Sequence, residues 1–248
     1  MLPPISAVIP AFNEAVRIGD TLAITISYLE KESPSSEVIV VNDGSTDSTG
    51  EVIRKVLAVP SSVAVRLLEN FPNRGKGAAV RTGLSSARKP IGVFFDADLS
   101  TPIDELPKIV EPIARGEVDF AFGSRALDRK LIGNRQPWRR EQGGRVFNLV
   151  VRVATGLPFW DTQCGFKAFR MEACRPIIEA AKVIGFGFDV ELLFLAQRAG
   201  LRLREVPVRW NHHEGSKIRF VQDSVRMLRE VLSLRANNSA ISNQAGSP

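Results

Sequence analysis

The residues best suited to chemistry are Asp96 and Asp98, two positions apart at the end of the apolar run Phe94-Phe95-Asp96-Ala97-Asp98. In extended chain, residues i and i+2 point the same way, so both carboxylates face one space. Two like charges held together are costly unless a cation lies between them. A hard divalent ion, Mg2+ or Mn2+, shared with a substrate diphosphate meets that need. The plainer reading has Asp98 cap a helix after Pro102, which leaves Asp96 unexplained.

A second carboxylate, Asp43, opens the turn Asn42-Asp43-Gly44-Ser45-Thr46-Asp47. Such a group can accept the imide N–H of a uracil while the loop frames base and ribose. Asp, Gly, Ser and Thr are also what plain turns and helix caps use, and at this point both readings stand. Asn73-Arg74-Gly75-Lys76-Gly77-Ala78 is not a Walker A loop, yet its cations and the helix start behind it suit an anion. Pro10-Ala11-Phe12-Asn13-Glu14 lacks the G-x-G-x-x-G of a dinucleotide-binding turn, which argues against NAD or FAD. Asp189 and Glu191, after Gly185-Phe186-Gly187-Phe188, are further acid–base candidates, and a helix N-cap at Asp189 explains them equally well.

Charge is distributed unevenly. The chain carries 33 basic and 27 acidic residues, and residues 125–152 hold eight of the former (Arg125, Arg129, Lys130, Arg135, Arg139, Arg140, Arg145, Arg152) against Asp128 and Glu141. That stretch accounts for the whole formal charge of +6. A local positive field suits phosphates, anionic lipid or nucleic acid, unless it is only a solvated loop. Only Trp138 and Phe147 interleave it, so base stacking by a nucleic-acid module is poorly supported.

These groups need a scaffold. Short β-branched runs at residues 6–9, 37–41, 64–68, 91–95 and 118–122 read as buried strands. Helical spacing occupies 14–29, 48–57, 77–87 and 104–114. Strand–helix alternation implies right-handed crossovers, a mainly parallel sheet flanked by helices, and a crevice beyond the strands' carboxyl ends. Functional residues are therefore expected just after strands. Beyond residue 125 a helix is expected at 144–155, a strand at 166–169, helices at 171–181 and 189–199, and a strand at 202–208. In the helix at 144–155, Arg145, Asn148 and Arg152 fall on one polar face, with Phe147, Leu149, Val150 and Val151 left to pack on the sheet. An amphipathic helix at 217–234, striped by Val221, Val225, Leu228 and Leu232, completes a single domain over 1–235, followed by a small, polar, disordered tail at 236–248.

At 248 residues and 44% hydrophobic, the chain is long enough for one sizeable α/β core. No stretch approaches the ~18 uninterrupted apolar residues of a membrane span, and Met1-Leu2-Pro3-Pro4-Ile5 has no signal-peptide character, so a cytoplasmic protein is expected. Cys164 and Cys174 read as reduced structural thiols.

Taken in order, Ile9-Pro10-Ala11-Phe12-Asn13-Glu14, Val41-Asn42-Asp43-Gly44-Ser45-Thr46-Asp47, Asn73-Arg74-Gly75-Lys76-Gly77, Asp96-Ala97-Asp98 and Gly123-Ser124-Arg125 resemble glycosyltransferase family 2 with the GT-A (Rossmann-like) fold. Asp161-Thr162-Gln163-Cys164-Gly165-Phe166-Lys167 and Gly215-Ser216-Lys217 narrow the resemblance toward dolichyl-phosphate β-glucosyltransferases and bacterial polyprenyl-phosphate sugar transferases. The resemblance implies a UDP-sugar donor, glucose favoured, a lipid-phosphate acceptor, a divalent ion, and peripheral contact with an anionic membrane at its cytoplasmic face. By position it implies that Pro10, Asn13 and Glu14 line the nucleoside pocket, Asp43 holds uracil and Lys76 neighbours the nucleotide. Asp96 would contact ribose or sugar and share the metal with its main ligand Asp98, Arg125 would meet phosphate, and Asp161 and Gln163 would face sugar and acceptor. Arg139, Arg140 and Arg145 are the candidates for the acceptor phosphate. Related mannosyl-phosphate synthases place a metal-binding Gln two residues after the second Asp, where this chain has Ser100.

The chemistry expected is an inverting single displacement, helped by positioning and charge neutralisation at the departing diphosphate. A phosphate acceptor, with a second pKa of about 6, needs no strong base. For a soluble or saccharide alcohol acceptor, Asp161 is the natural base. A nucleotidyltransferase would instead show a Gly-rich basic loop after the first strand, and residues 10–14 are not that.

Overall fold

The computed structural model describes residues 1–134 and 138–212 together with Met227 and Glu230, with backbone alone for 138–141. The first strand, β1 (Ile5–Ala11), is followed by α1 (Ile18–Glu32), β2 (Glu37–Asp43), α2 (Thr49–Leu57), β3 (Ala64–Asn70), α3 (Lys76–Ser85) and β4 (Ile91–Phe95). A short 3-10 turn at Ile103–Glu105 leads into α4 (Leu106–Ala114) and β5 (Phe120–Ser124). Then come α5 (Trp138–Thr155), β6 (Phe166–Arg170), α6 (Met171–Ala180), α7 (Phe188–Arg198) and β7 (Leu203–Pro207). The expected alternation is thus present, with boundaries moved by a few residues.

The seven strands form one sheet in the order β3-β2-β1-β4-β6-β5-β7. Every pairing is parallel except those of β6, which runs antiparallel to β4 and β5, with Phe94 and Phe122 both opposite Lys167. This exception matters for the site. Because β6 is reversed, the segment that enters it arrives at the carboxyl ends of the parallel strands. The rule that functional residues follow strands therefore holds for β1, β2, β4 and β5, while Asp161 and Gln163 reach the same edge by preceding one.

Strand residues alternate between two buried layers. Ile5, Ala7 and Ile9 pack with Ile18 and Leu22 of α1, Ile53 of α2 and Ile109 of α4. Val8, Ile39 and Val41 pack with Val80 and Leu84 of α3, Val151 of α5, Ile177 of α6 and Val190 and Leu193 of α7. Helices on both faces bury the sheet and leave its carboxyl edge for the loops.

Three expectations are changed or fall outside the description. The inner face of α5 is Phe147, Val151 and Ala154, while Leu149 and Val150, expected to pack on the sheet, are exposed with Val146 and Val153. Asn148 turns inward, where its Oδ1 accepts the Thr162 hydroxyl at 3.0 Å. The helix expected at 217–234 is described only at Met227 and Glu230, both helical, and Gly215, Ser216, Lys217, Arg135 and the tail at 236–248 lie outside the described residues.

Candidate active site at the carboxyl edge of the sheet

The tips of β1 and β2 are tied together by side chains. Asn13, in the left-handed region at φ 54, accepts the Thr46 amide at 2.8 Å through Oδ1, and its own amide donates to the Ser45 hydroxyl at 2.9 Å. The Glu14 amide donates to Thr49 Oγ1, and its carboxylate pairs with Arg17 at 2.9 Å. Pro10 is half-buried at the end of β1. These bonds hold the loop after β1 against the loop after β2.

Asp43 does more within its own chain than a turn residue would. It is buried, and its two oxygens accept from Asn70 Nδ2 (2.7 Å), Asn73 Nδ2 (3.0 Å), the Arg74 amide (3.2 Å to each oxygen) and the Gly75 amide (2.8 Å). A carboxylate offers roughly four acceptor positions, so these contacts use its capacity. Asp43 fixes the Asn73–Gly75 loop, and a direct bond to uracil would have to replace one of these donors. Gly75 has φ 98, and a Cβ there would run into the Ile184 carbonyl, so the loop can enter α3 this way only with glycine. Directly after it, Lys76 extends to Asp96.

At the end of β4, Lys76 Nζ lies 2.5 Å from Asp96 Oδ1. Burial works against the lysine charge, but Asp96, with Asp189 and Asp98 behind it, outweighs burial and raises its pKa. Asp98 Oδ1 accepts the Ser100 amide at 2.9 Å, which is a local turn rather than a cap on the helix after Pro102. Between Asp98 and Ser100, Leu99 sits at φ 46, a strained conformation for a leucine, and its amide closes a turn on the Asp96 carbonyl at 3.2 Å. Gly165 lies against Asp96, where a Cβ would overlap the carboxylate. A cleft lined by Phe95, Asp96, Leu99, Ser100, Thr101, Gly165 and Trp210 opens here.

The loop before β6 holds the next charge pair. Arg125 grips Asp161 in bidentate fashion, Nε to Oδ2 at 2.7 Å and a terminal nitrogen to Oδ1 at 2.8 Å, while its amide also donates to Oδ2 at 2.9 Å. Burial opposes the Asp161 charge, but Arg125 overrides it and holds the carboxyl below its ordinary range. A carboxylate so held is a weak base. Arg125, expected on a phosphate, is thus engaged first with Asp161, and its guanidinium lies 5.6 Å from the Trp210 ring centroid. Glu205 of β7 accepts the Asp161 amide at 2.7 Å and that of Trp160 at 3.0 Å. Gln163 is half-buried, with its amide nitrogen 3.8 Å from Met227 Sδ. Arg145 is exposed on α5, and the side chains of Arg139 and Arg140 lie outside the described residues.

Beneath these pairs is one that sequence reasoning did not single out. Lys167, fully buried in β6, lies 2.7 Å from Asp189 Oδ1 and donates to the Cys164 carbonyl at 2.5 Å. Burial raises the pKa of Asp189 against the pull of Lys167 and Lys76. Asp189 is therefore neither the N-cap of α7, which is Gly187, nor an accessible base. Glu191 is likewise occupied, accepting the Lys182 and Val183 amides at 2.9 and 2.8 Å. Across the site the charges alternate: Arg125, Asp161, Lys167, Asp189, Lys76, Asp96. The only hint in the sequence was a lysine inside an otherwise apolar strand.

Among the described residues no three His, Cys, Asp or Glu side chains gather to hold an ion. The donor chemistry fits a hard divalent cation, because Asp96 and Asp98 offer carboxylate oxygens just after β4 and Mg2+ or Mn2+ commonly draws further oxygens from a diphosphate and water.

The sequence profile described as glycosyl transferase family 2 matches residues 6–178. A dolichyl-phosphate beta-glucosyltransferase of Dictyostelium discoideum is 32% identical over 241 residues, covering 93% of this chain and 73% of that protein. The human dolichyl-phosphate beta-glucosyltransferase is 34% identical over 244 residues, covering 93% and 74%. Among solved structures, glucosyl-3-phosphoglycerate synthase from Mycobacterium tuberculosis in complex with uridine-diphosphate superposes with a TM-score of 0.65 at 25% identity, covering 94% of this chain and 80% of that one.

Proposed function

Since the chain belongs to glycosyl transferase family 2, we propose that it transfers glucose from UDP-glucose to a polyprenyl or dolichyl phosphate with inversion. Relatives named dolichyl-phosphate beta-glucosyltransferase, aligned over most of the chain, support glucose and a lipid phosphate, and the solved neighbour in complex with uridine-diphosphate supports the nucleotide. The observation that carries the acceptor class is the state of the carboxylates. Asp161 is locked to Arg125 with a lowered pKa, and Asp189 is buried against Lys167. Neither suits the deprotonation of an alcohol. A phosphate monoester, already largely ionised at neutral pH, attacks without a base.

In this reading the loops at residues 10–14 and 43–47 frame the nucleoside, with Asp43 acting through the Asn73–Gly75 loop. Lys76 faces the diphosphate and neutralises charge as it leaves. Asp96 and Asp98 would hold Mg2+ or Mn2+, which when bound supplies Lewis-acid stabilisation of the leaving diphosphate. Asp161 is a positioning residue that sets the Arg125 guanidinium and, with Gln163, the acceptor side of the cleft. Arg125, with Arg139, Arg140 and Arg145, provides cations for the acceptor phosphate. The nucleotide sugar is met from the cytoplasm and the lipid phosphate at that face of the membrane.

The test is transfer from radiolabelled UDP-glucose to a short-chain polyprenyl phosphate with Mn2+ or Mg2+, beside a donor-hydrolysis screen of UDP- and GDP-sugars. A lipid-linked glucose released by mild acid is expected. Turnover of GDP-sugars alone, or transfer to saccharide alcohols and not to the lipid phosphate, would overturn the reading.

A further inference from the structure

The mechanism above gives no task to Lys167 and Asp189, the most deeply buried ion pair among the described residues. Lys167 Nζ sits between two rings of the neighbouring strands, 5.6 Å from the centroid of Phe94 and 6.0 Å from that of Phe122. Taking two charges out of water recovers little net stability, and an apolar pair of similar volume would fill the same space at least as well. Packing alone therefore gives no reason for the charges. What the two residues hold in place does.

One arm runs to the acceptor side. Lys167 Nζ donates to the Cys164 carbonyl at 2.5 Å, which fixes the turn between Gln163 and Gly165. Gly165 in turn lies against the Asp96 carboxylate with no room for a Cβ. The other arm runs to the donor side. Asp189 follows Phe188, whose ring centroid is 5.9 Å from Lys76 Nζ and whose Cβ occupies the space a side chain at Gly77 would need. The Gly77 amide also donates to the Ile184 carbonyl at 2.9 Å, so the start of α3 rests on the segment that opens α7. From there Lys76 reaches Asp96 Oδ1 at 2.5 Å. Asp96 is thus met by Gly165 from one side and by Lys76 from the other, and both arms lead back to the same buried pair.

We propose that Lys167 and Asp189 form a positioning pair that holds the acceptor turn at 163–165 and the donor lysine Lys76 in one register around Asp96. The loops after β1 and β2 are tied to each other by bonds that involve neither partner, so ground-state binding of the nucleotide does not depend on the pair. The placing of Lys76 at the departing diphosphate, with the acceptor opposite, does depend on it. A displacement of about 1 Å at groups of this kind costs roughly 100-fold in rate. The loss belongs in kcat, because the misplaced contacts are those that matter as charge develops. The inference deepens the transfer reading above and rests on it for the identity of the acceptor alone.

The experiment uses the full chain and the double variant Lys167→Met, Asp189→Asn, which strands no charge. A second double variant, Glu37→Gln, Arg66→Met, removes the part-buried pair joined at 3.0 Å at the far, amino edge of the sheet and serves as the control for lost stability. Melting temperature, the Kd of UDP with Mn2+ by calorimetry, hydrolysis of UDP-glucose and transfer to a short-chain polyprenyl phosphate are measured for all three proteins. The site variant should bind UDP within about threefold of wild type while kcat for hydrolysis and for transfer falls roughly 100-fold. The control should lose melting temperature and keep its kcat. A site variant with kcat within about threefold of wild type overturns the proposal, as does a control that loses kcat equally, and as does a Kd that weakens in step with kcat, which would make the pair part of the nucleotide pocket's shape. Should wild type hydrolyse the donor and transfer to no lipid phosphate, the acceptor reading fails, and the same comparison of kcat and Kd in hydrolysis still decides the role of the pair.

Discussion

Removing one member of the buried Lys167–Asp189 pair should cost far more than removing both. Lys167 is 0% exposed and Asp189 3%, at 2.7 Å, so either single change strands a charge where water cannot reach it. Breaking a buried pair this way costs ~3–5 kcal/mol. For a chain of this size each kcal/mol moves the melting temperature by about 2–4 °C, so Lys167→Met and Asp189→Asn should each melt roughly 6–20 °C below wild type. The double variant holds no stranded charge and should regain most of that loss, short of about 1–3 kcal/mol for a buried amide without partners. The sign with pH follows from Asp189. Its folded pKa is raised above the ordinary 3.8, the native state holds the extra proton between those values, and stability falls as pH rises through that window. Without Lys167 the window widens, so the Lys167→Met penalty should shrink in acid. Donor hydrolysis should not recover in the double variant, because Asp189 also faces Lys76, the partner of Asp96. Thermal melts by circular dichroism, run with a hydrolysis assay, decide the matter. Single variants melting within about 2 °C of wild type would refute the burial argument, and a double variant regaining full activity would make the pair structural only.

Asp98→Ala should leave the melting temperature unchanged and abolish donor turnover that chelator also abolishes in wild type; turnover indifferent to chelator would remove the ion from the mechanism. Asp43→Ala frees the donors that fix the Asn73–Gly75 loop, so KM for UDP-glucose should rise more than kcat falls, which steady-state kinetics can separate. Glu37, Glu105, Asp119 and Asp161 all have folded pKa values lowered by their cationic and hydrogen-bonding partners against burial. Their contribution is complete above the ordinary values of 3.8 to 4.5 and is lost as pH falls through the lowered ones, so melts across pH should drop steeply in acid, below the window in which Asp189 acts in the opposite sense.

What could be read from the sequence follows a physical divide. Strand tips were legible because apolar runs ending in Asn42-Asp43-Gly44 and Asp96-Ala97-Asp98 announce both the strand and the polar turn. The pairing of Arg125 with Asp161 was not, because it depends on β6 running backward between β4 and β5, and strand direction leaves no trace in local pattern. Lys167 was seen only as part of a motif, since a lysine in a strand announces neither its burial nor its partner. For α5 the sequence holds apolar residues on both sides, and which side meets the sheet is decided by the packing of Phe147 and Val151 against the core.

The reversed strand has one more consequence. Residues 125–165 leave from the end of β5 and return at the start of β6, and those strands are hydrogen-bonded neighbours, with Phe122 opposite Lys167. The whole excursion, α5 included, is in effect the connection of a very long hairpin. Loop closure grows only slowly with length, by about 0.6 kcal/mol per doubling, so this stretch can lengthen, shorten or be exchanged with little effect on the nucleotide half of the sheet. Grafting the corresponding stretch from another member of the family between Arg125 and Cys164, which leaves Gly165 against Asp96, is a route to new acceptors on an unchanged donor site, provided that the graft keeps an acid opposite Arg125 and a partner for Glu205.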